Sequence, residues 1–341
     1  MNVASTELAA SQHHYFLYRA LEPLKAFLAD PEVIEISINK PGHVYVERLG
    51  ADHMEFHSMP KLTEAEIANM GERVAATTNQ FISPAHPILS AALPSGERIQ
   101  FVLPPAAPCG GAVSIRKQVV GDFTLEDYRD TGAFDRVSVA IGGMGDVVRS
   151  LIDVLRCDDV YGFVRAAIAN RVSILISGGT SSGKTTFLNA CLKSVDMQER
   201  IITLEDTREL FPPQPNAVHL LASKGDQGTA SVTIQTLLEA SLRMRPDRLF
   251  VGEVRGAEAF SFLRAINTGH PGSMSTVHAD TPHGAYEQLA MMVMQSGLSA
   301  AYPKADLISY IRSVIPIVIQ LRRHGGKRCV SEIYFSPMDN P

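Results

Sequence analysis

The run Gly178-Gly179-Thr180-Ser181-Ser182-Gly183-Lys184-Thr185-Thr186 constrains the chain more than any other segment. It satisfies G-x-x-x-x-G-K-[ST] and stands where that loop must stand, after an apolar strand and before a helical stretch. The preceding segment, Val172 to Ser177, is nearly all apolar, as a strand buried on both faces of a parallel sheet should be. Glycines in such a loop let backbone N–H groups face phosphates, and the helix N-terminus behind them adds positive potential. Lys184 then neutralises β/γ oxygens and Thr185 can ligate Mg²⁺, so ATP and Mg²⁺ are the expected cofactors and residues 178–186 the expected phosphate cradle. The competing explanation, a chance Gly/Ser-rich turn, does not account for the strand and helix on either side. A phosphate loop names a ligand class, not a purpose.

The rest of the chain suggests two domains. With 341 residues, 45% of them hydrophobic, it can bury one large core or two medium ones. Leu17, Leu21, Leu24 and Leu28 recur at helical spacing between Tyr15 and Leu28, and Asp30-Pro31 ends the pattern. Val33 to Asn39 alternates with Ile34, Ile36 and Ile38 on one face, Pro41-Gly42 turns the chain, and His43 to Glu47 alternates again, which predicts a hairpin. A helix is expected over Thr63 to Thr77, then strands at Glu97 to Leu103 and Ala112 to Lys117. Residues 1–120 therefore read as a small α+β domain. Signals weaken between Gly121 and Asp159, where Gly142, Gly143 and Gly145 interrupt any helix, so 121–159 reads as a linker. From 160 to 341 helix-like and apolar strand-like segments alternate, the pattern of an α/β domain with a mainly parallel sheet.

The formal charge of -5 gives no strong nucleic-acid signal, and any anionic partner needs a local basic patch. The four cysteines, Cys109, Cys157, Cys191 and Cys329, are scattered without a CxxC pair, which fits a reducing cytoplasm and argues against a zinc module. The stretch from Val314 to Leu321 is too short to span a bilayer, and the N-terminal MNVASTELAAS lacks the features of a signal peptide. Membrane contact, on this reading, is peripheral.

Three segments downstream of the phosphate loop carry further chemistry. Thr203-Leu204-Glu205-Asp206-Thr207-Arg208-Glu209-Leu210 ends an expected strand, Arg200 to Leu204, in carboxylates at the edge where a parallel sheet meets its ligand. Arg245-Pro246-Asp247-Arg248-Leu249-Phe250-Val251-Gly252-Glu253-Val254-Arg255-Gly256 delivers Glu253 from a second apolar strand. Thr268-Gly269-His270-Pro271-Gly272-Ser273-Met274-Ser275-Thr276-Val277-His278-Ala279 supplies histidines, one of which can report a γ-phosphate by hydrogen bonding. The bland alternatives are solvated acidic turns and packing histidines, and His283 is best read as the latter. Met291, Met292 and Met294, in a helix opened by Thr281-Pro282, read as packing.

In that order the three segments resemble the Asp box, Walker B region and His box of the hexameric secretion ATPase superfamily, and type IV secretion traffic ATPases most of all. Glu35 to Glu47 extends the resemblance to the N-terminal hairpin of the type IV branch, so it covers most of the chain. The resemblance implies a RecA-like P-loop motor domain behind a small α+β domain. It implies ATP hydrolysis with Lys184, Glu209, Glu253 and His278 as the catalytic group, and Mg²⁺ held by Thr185 and by Glu253, directly or through water. Arg98 in Gly96-Glu97-Arg98 and Arg116 in Ile115-Arg116-Lys117 match arginines that reach from the N-terminal domain toward nucleotide. Arginine suits that task, being permanently charged and forked to match phosphate. Implied partners are five further copies in a homo-hexamer and inner-membrane channel and coupling proteins, at a cytoplasmic position peripheral to the inner membrane. Ser181 departs from the many relatives with a glycine there. A type II secretion or pilus ATPase shares these motifs, although the tetracysteine module of many type II enzymes is missing. A RecA-like nucleic-acid motor or a non-hydrolysing nucleotide-gated scaffold are the readings from other classes.

Overall fold

In the computed structural model the described residues are 14–117, 124–130, 132–135, 145–223, 229–297 and 303–339; Gly142, Gly143 and the N-terminal MNVASTELAAS lie outside them. Residues 14–21 form α1, followed by a 3₁₀ turn (Glu22–Leu24) and α2 (Lys25–Ala29). The leucine spacing predicts one helix here. The break falls at Pro23, which has no N–H to give and whose ring crowds the preceding turn. Leu17, Leu21 and Leu24 stay buried across the break, so the apolar stripe survives the change of helix type.

Six antiparallel strands follow: β1 (Val33–Lys40), β2 (His43–Arg48), β3 (Glu55–Ser58), β4 (Ile88–Ala92), β5 (Arg98–Val102) and β6 (Ala112–Arg116), in the order β3-β2-β1-β6-β5-β4. Between β3 and β4, α3 (Glu64–Thr77) starts at Thr63, whose hydroxyl accepts from the Glu66 N–H. Its Ile67, Met70 and Val74 pack on Ile36 and Ile38 of β1. The pleat sends Glu35, Ser37 and Asn39 to the other face, and all three are buried there. A strand that looks half-exposed in sequence is therefore covered on both faces, by α3 on one and by the second sheet's unit on the other.

Across Gly121 to Asp159 the described residues hold two helices, α4 (Leu125–Asp130) and α5 (Asp146–Arg156). Gly145 serves as the N-cap of α5 rather than as a breaker, which a glycine at a helix start does readily. Then come α6 (Val160–Ala169), β7 (Ile174–Gly178), α7 (Lys184–Leu192), β8 (Ile201–Glu205), β9 (Ala217–Leu221), α8 (Ile234–Ser241), β10 (Arg248–Val251), α9 (Glu258–Asn267), β11 (Met274–Val277), α10 (Pro282–Gln295), α11 (Lys304–Val314), β12 (Ile317–His324) and β13 (Lys327–Phe335). The sheet order is β13-β12-β7-β11-β10-β8-β9, parallel throughout except for the antiparallel edge pair β12/β13. Successive residues face opposite layers. Ile174, Ile176, Ile201, Phe250, Ile317 and Ile319 pack with α5, α6 and α7. Leu175, Ile202, Leu249, Val251 and Val318 pack with α8 to α11.

The two units meet through small apolar residues, Val102, Ala106, Ala107 and Ala112, which join the second unit's core. Polar contacts then fix the angle. Arg245 donates to both carboxylate oxygens of Glu47 at 2.6 Å, Tyr45 donates to the Pro215 carbonyl at 2.8 Å, and the Leu221 N–H donates to the Ala106 carbonyl at 2.8 Å. Arg200, fully buried, donates to Asn216 Oδ1 at 2.7 Å, to the Met244 carbonyl at 2.9 Å and to Asn39 Oδ1.

Candidate functional site

The loop after β7 is shaped by three backbone positions. A Cβ at Gly178 would lie 2.5 Å from Ser182 Oγ and 2.7 Å from the Leu321 carbonyl oxygen, so only glycine lets the loop turn beneath β12. Gly183 sits at φ +95° as the N-cap of α7, a conformation open to glycine. Ser181 holds φ +62°, in the left-handed region that L residues enter at a cost of roughly 1–2 kcal/mol. The departure noted in the sequence therefore falls where a glycine would relieve strain.

Around this loop opens a cavity of about 790 Å³ lined by Thr180 to Thr186, Glu205, Asp206, Glu209, Gly252, Glu253, Arg255, Thr276, His278 and Arg328. Lys184, on the first turn of α7, is 8% exposed and folds back so that Nζ donates to the carbonyls of Gly178 (2.8 Å) and Gly179 (3.3 Å). Burial lowers its pKa from the usual lysine value. Its Nζ also stands 3.3 Å from Nδ1 of His278, at the end of β11. The Nε2 of the same ring lies 2.9 Å from Oε1 of Glu253, a close approach not aligned as a hydrogen bond. Ammonium, imidazole and carboxylate thus run in a row along the ends of α7, β11 and β10.

The acidic segment divides its labour. Glu205, at the buried end of β8, accepts the N–H groups of Glu209 and Leu210, both at 2.8 Å on Oε1, and so clamps the turn. Burial raises its pKa above the usual glutamate value, against the pull of those two N–H groups. Asn189 of α7 secures the same turn, donating to the Glu209 carbonyl and accepting from the Phe211 N–H, each at 2.8 Å. The Glu209 side chain is exposed and lines the cavity with no side-chain partner among the described residues. Glu253, by contrast, is held by Arg255, whose Nε and Nη2 lie 2.8 and 2.5 Å from Oε2 and whose Nη1 reaches Asp206 at 3.0 Å. That contact raises the Arg255 pKa.

Of the histidines in the third segment, only His278 reaches the cavity. His270 donates from Nδ1 to the Pro246 carbonyl at 2.9 Å, and burial lowers its pKa, the environment of a packing histidine. His283 is a surface residue beside Glu287 and Arg312. Arg98 and Arg116 do not reach the phosphate loop of their own chain. They face each other across β5 and β6 and line a second cavity of about 300 Å³ with Glu35, Gln100, Arg243 and Arg245. That cavity is closed by Leu242, Arg243 and Arg245, which follow α8, and holds no residue of the phosphate loop, so the expected link to nucleotide is not made within one chain. Sequence pattern alone assigns no role to Arg255 or Arg328. Arg255 stands two residues after Glu253, a spacing that sends both side chains to one face of an extended segment, whereas Arg328 is brought in only by the order β13-β12-β7.

The residues also suit a divalent cation. Buried Oε2 of Glu205, Oε1 of Glu253 and Oγ of Ser182 have no hydrogen-bond partner among the described residues, and all three are hard oxygen donors in the cavity that Thr185 lines.

Comparison with known proteins decides what this pocket belongs to. The profile of the family described as "Type II/IV secretion system protein" matches residues 156–336. The type IV secretion system protein VirB11 of Bartonella quintana is 40% identical over 329 residues, covering 93% of this chain and 92% of its own. The chain belongs to the type II/IV secretion system protein family. Within that family, protein VirB11 of Agrobacterium fabrum is 32% identical over 321 residues, with 93% and 92% covered. The crystal structure of the VirB11 ATPase from the Brucella suis type IV secretion system, solved with sulphate, superposes with a TM-score of 0.90 at 35% identity and covers 97% of both chains. The similarity extends through the antiparallel N-terminal unit as well as the parallel sheet, and the whole chain has the architecture of a type IV secretion ATPase.

Proposed function

We propose that the chain hydrolyses ATP to ADP and phosphate and that it drives a type IV secretion apparatus, in a ring of six copies. The observation that carries this reading is the row formed by Lys184, His278 and Glu253 over the phosphate loop, which sets an ammonium where phosphates would sit and a carboxylate where their Mg²⁺ would. The VirB11 relatives and the Brucella suis ATPase fold support the assignment to secretion.

In this reading the N–H groups of residues 179–186 and the Lys184 ammonium hold the phosphates. Lys184 leaves its carbonyl partners to do so, and an ammonium kept half-desolvated by burial gains more from an anion than an exposed one. Mg²⁺, bound by Thr185 and by Glu253 directly or through water, would neutralise developing charge. Arg255 fixes the Glu253 carboxylate, so Glu253 is positioned rather than free, while the unpaired Glu209 at the mouth orients or deprotonates the attacking water. His278 spans ammonium and carboxylate and registers the γ-phosphate between them. Arg98 and Arg116 complete the site of a neighbouring copy in the ring, since their own phosphate loop lies out of reach. Inner-membrane channel and coupling proteins are the proposed docking partners, at the cytoplasmic face of that membrane, with peripheral contact only. No helix among the described residues is long and apolar enough to cross a bilayer.

The test is phosphate release by purified protein. Lys184→Ala is expected to abolish turnover and to weaken ATP binding, the loss of a charge-assisted contact of about 1.5–3 kcal/mol. Glu209→Gln is expected to keep ATP bound while turnover falls about 10²–10⁴-fold. Undiminished turnover in Lys184→Ala would overturn the assignment, and slowing in Glu253→Gln alone would move the base to Glu253.

A further inference from the structure

The β12/β13 hairpin carries Arg322, Arg323, His324, Lys327 and Arg328 in seven residues, with no acidic residue among them. Only Arg328 of these lines the nucleotide cavity. Its side chain lies across the N-terminus of α7: a Cβ built at Gly183 would fall 2.7 Å from Arg328 Cδ. Among the described residues its guanidinium has no hydrogen bond and no carboxylate within 4.0 Å.

Three positive features therefore converge at this end of the cavity, and among the described residues no carboxylate comes within 4.0 Å of the Arg328 guanidinium. The α7 N-terminus presents the positive end of its dipole and its free N–H groups, which favour anions and disfavour a cation. Lys184 is the first residue of the same helix. Arg328 is also paired directly across the hairpin from Arg323, and like charges at such a position destabilise the pair. An arginine held in that field gains only when an anion enters. It makes no hydrogen bond or ion pair with Lys184, His278 or Glu253, so it stands apart from the row assigned to hydrolysis.

We propose that Arg328 is a nucleotide-binding residue acting in its own subunit, gripping the part of the polyphosphate that ADP and ATP share. The inference rests on the phosphate loop being a nucleotide site and adds a strand-borne clamp to it. A contact made equally to substrate and product is uniform binding, so it sets affinity and not the rate of the bound complex. The loss of Gly183 flexibility would disturb it too, since any side chain at 183 would push the guanidinium off the loop.

The experiment measures binding of fluorescent Mg-ADP, steady-state ATP hydrolysis and thermal melting in the full-length chain for the parent, Arg328→Ala, Arg328→Lys and Lys184→Ala. Arg328→Ala should weaken ADP binding by about 10–100-fold, the range for a lost contact to a charged group. The defect should appear in KM for ATP more than in kcat. Arg328→Lys should recover part of the affinity, being a point charge without the fork. Without nucleotide, Arg328→Ala should melt no lower than the parent, because its removal relieves repulsion, and its ADP-induced rise in melting temperature should shrink. ADP affinity of Arg328→Ala within about twofold of the parent, with Lys184→Ala impaired, would overturn the role of Arg328 alone. A defect in kcat with ADP affinity intact, or a lower melting temperature without nucleotide, would also overturn it. Indifference of ADP binding to both substitutions would instead remove the nucleotide reading of the loop.

Discussion

Glu35 is the residue whose chemistry is most at odds with its surroundings. It is 3% exposed on the face of β1 that meets the second unit, Oε1 has no hydrogen-bond partner, and burial pushes its pKa up to about 7 despite nearby Arg200 and Arg116. A carboxyl that ionises near 4.5 when unfolded and near 7 when folded binds the extra proton in the folded state. Folding stability on its account is greatest below the unfolded value and falls as pH rises toward 7. Glu35→Gln should therefore raise the melting temperature at pH 8 and leave it nearly unchanged at pH 4.5. Equal gains at both pH values would show that shape and not charge is responsible. Arg200 faces the same junction, fully buried, with its pKa lowered to about 10 by that burial.

At the scale of elements, the turn carrying Glu209 depends on α7 and β8 more than on its own residues. Asn189 grips it from the helix by two hydrogen bonds and Glu205 from the strand by two more. Asn189→Ala should leave the phosphate loop able to bind ADP but slow hydrolysis, with a stability loss of only about 0.5–1.5 kcal/mol because water can reach both partners. Denaturant melts and single-turnover hydrolysis measure the two effects, and loss of ADP binding would contradict the division. The same elements show what a sequence can and cannot disclose. The phosphate loop, the β1/β2 hairpin and the cap at Thr281 are legible because each is local: neighbours in sequence supply both the constraint and its answer. Strand β8 begins and ends one residue later than its pattern suggests, since apolar periodicity says little about the last ladder bond. The grip of Asn189, the buried face of β1 and the reach of Arg328 join residues 20 to more than 140 positions apart, and only the packed sheet order brings them together.

The whole chain poses a puzzle that one copy does not solve. Arg98 and Arg116 sit opposite each other with Arg243 and Arg245 in a 300 Å³ cavity whose carboxylate, Glu35, is shifted toward its neutral form. Arg245 is already paired with Glu47 and Asp247, which leaves Arg98, Arg116 and Arg243 with no carboxylate within 4.0 Å among the described residues, a cluster that suits an incoming anion, while the chain's own phosphate loop lines a different cavity. A ring resolves this if each copy's first unit attends a neighbour's nucleotide. The direct measurement mixes Lys184→Ala, which keeps the arginines, with the double variant Arg98→Ala, Arg116→Ala, which keeps the phosphate loop, and compares phosphate release with each protein alone. Each should be nearly inactive by itself. If the arginines act across the interface, equal mixing into rings should restore turnover to about a quarter of the parent rate, the share of interfaces with an intact loop facing intact arginines. Mixed rings no faster than either variant alone, or a double variant as fast as the parent, would contradict a site completed by the neighbouring copy.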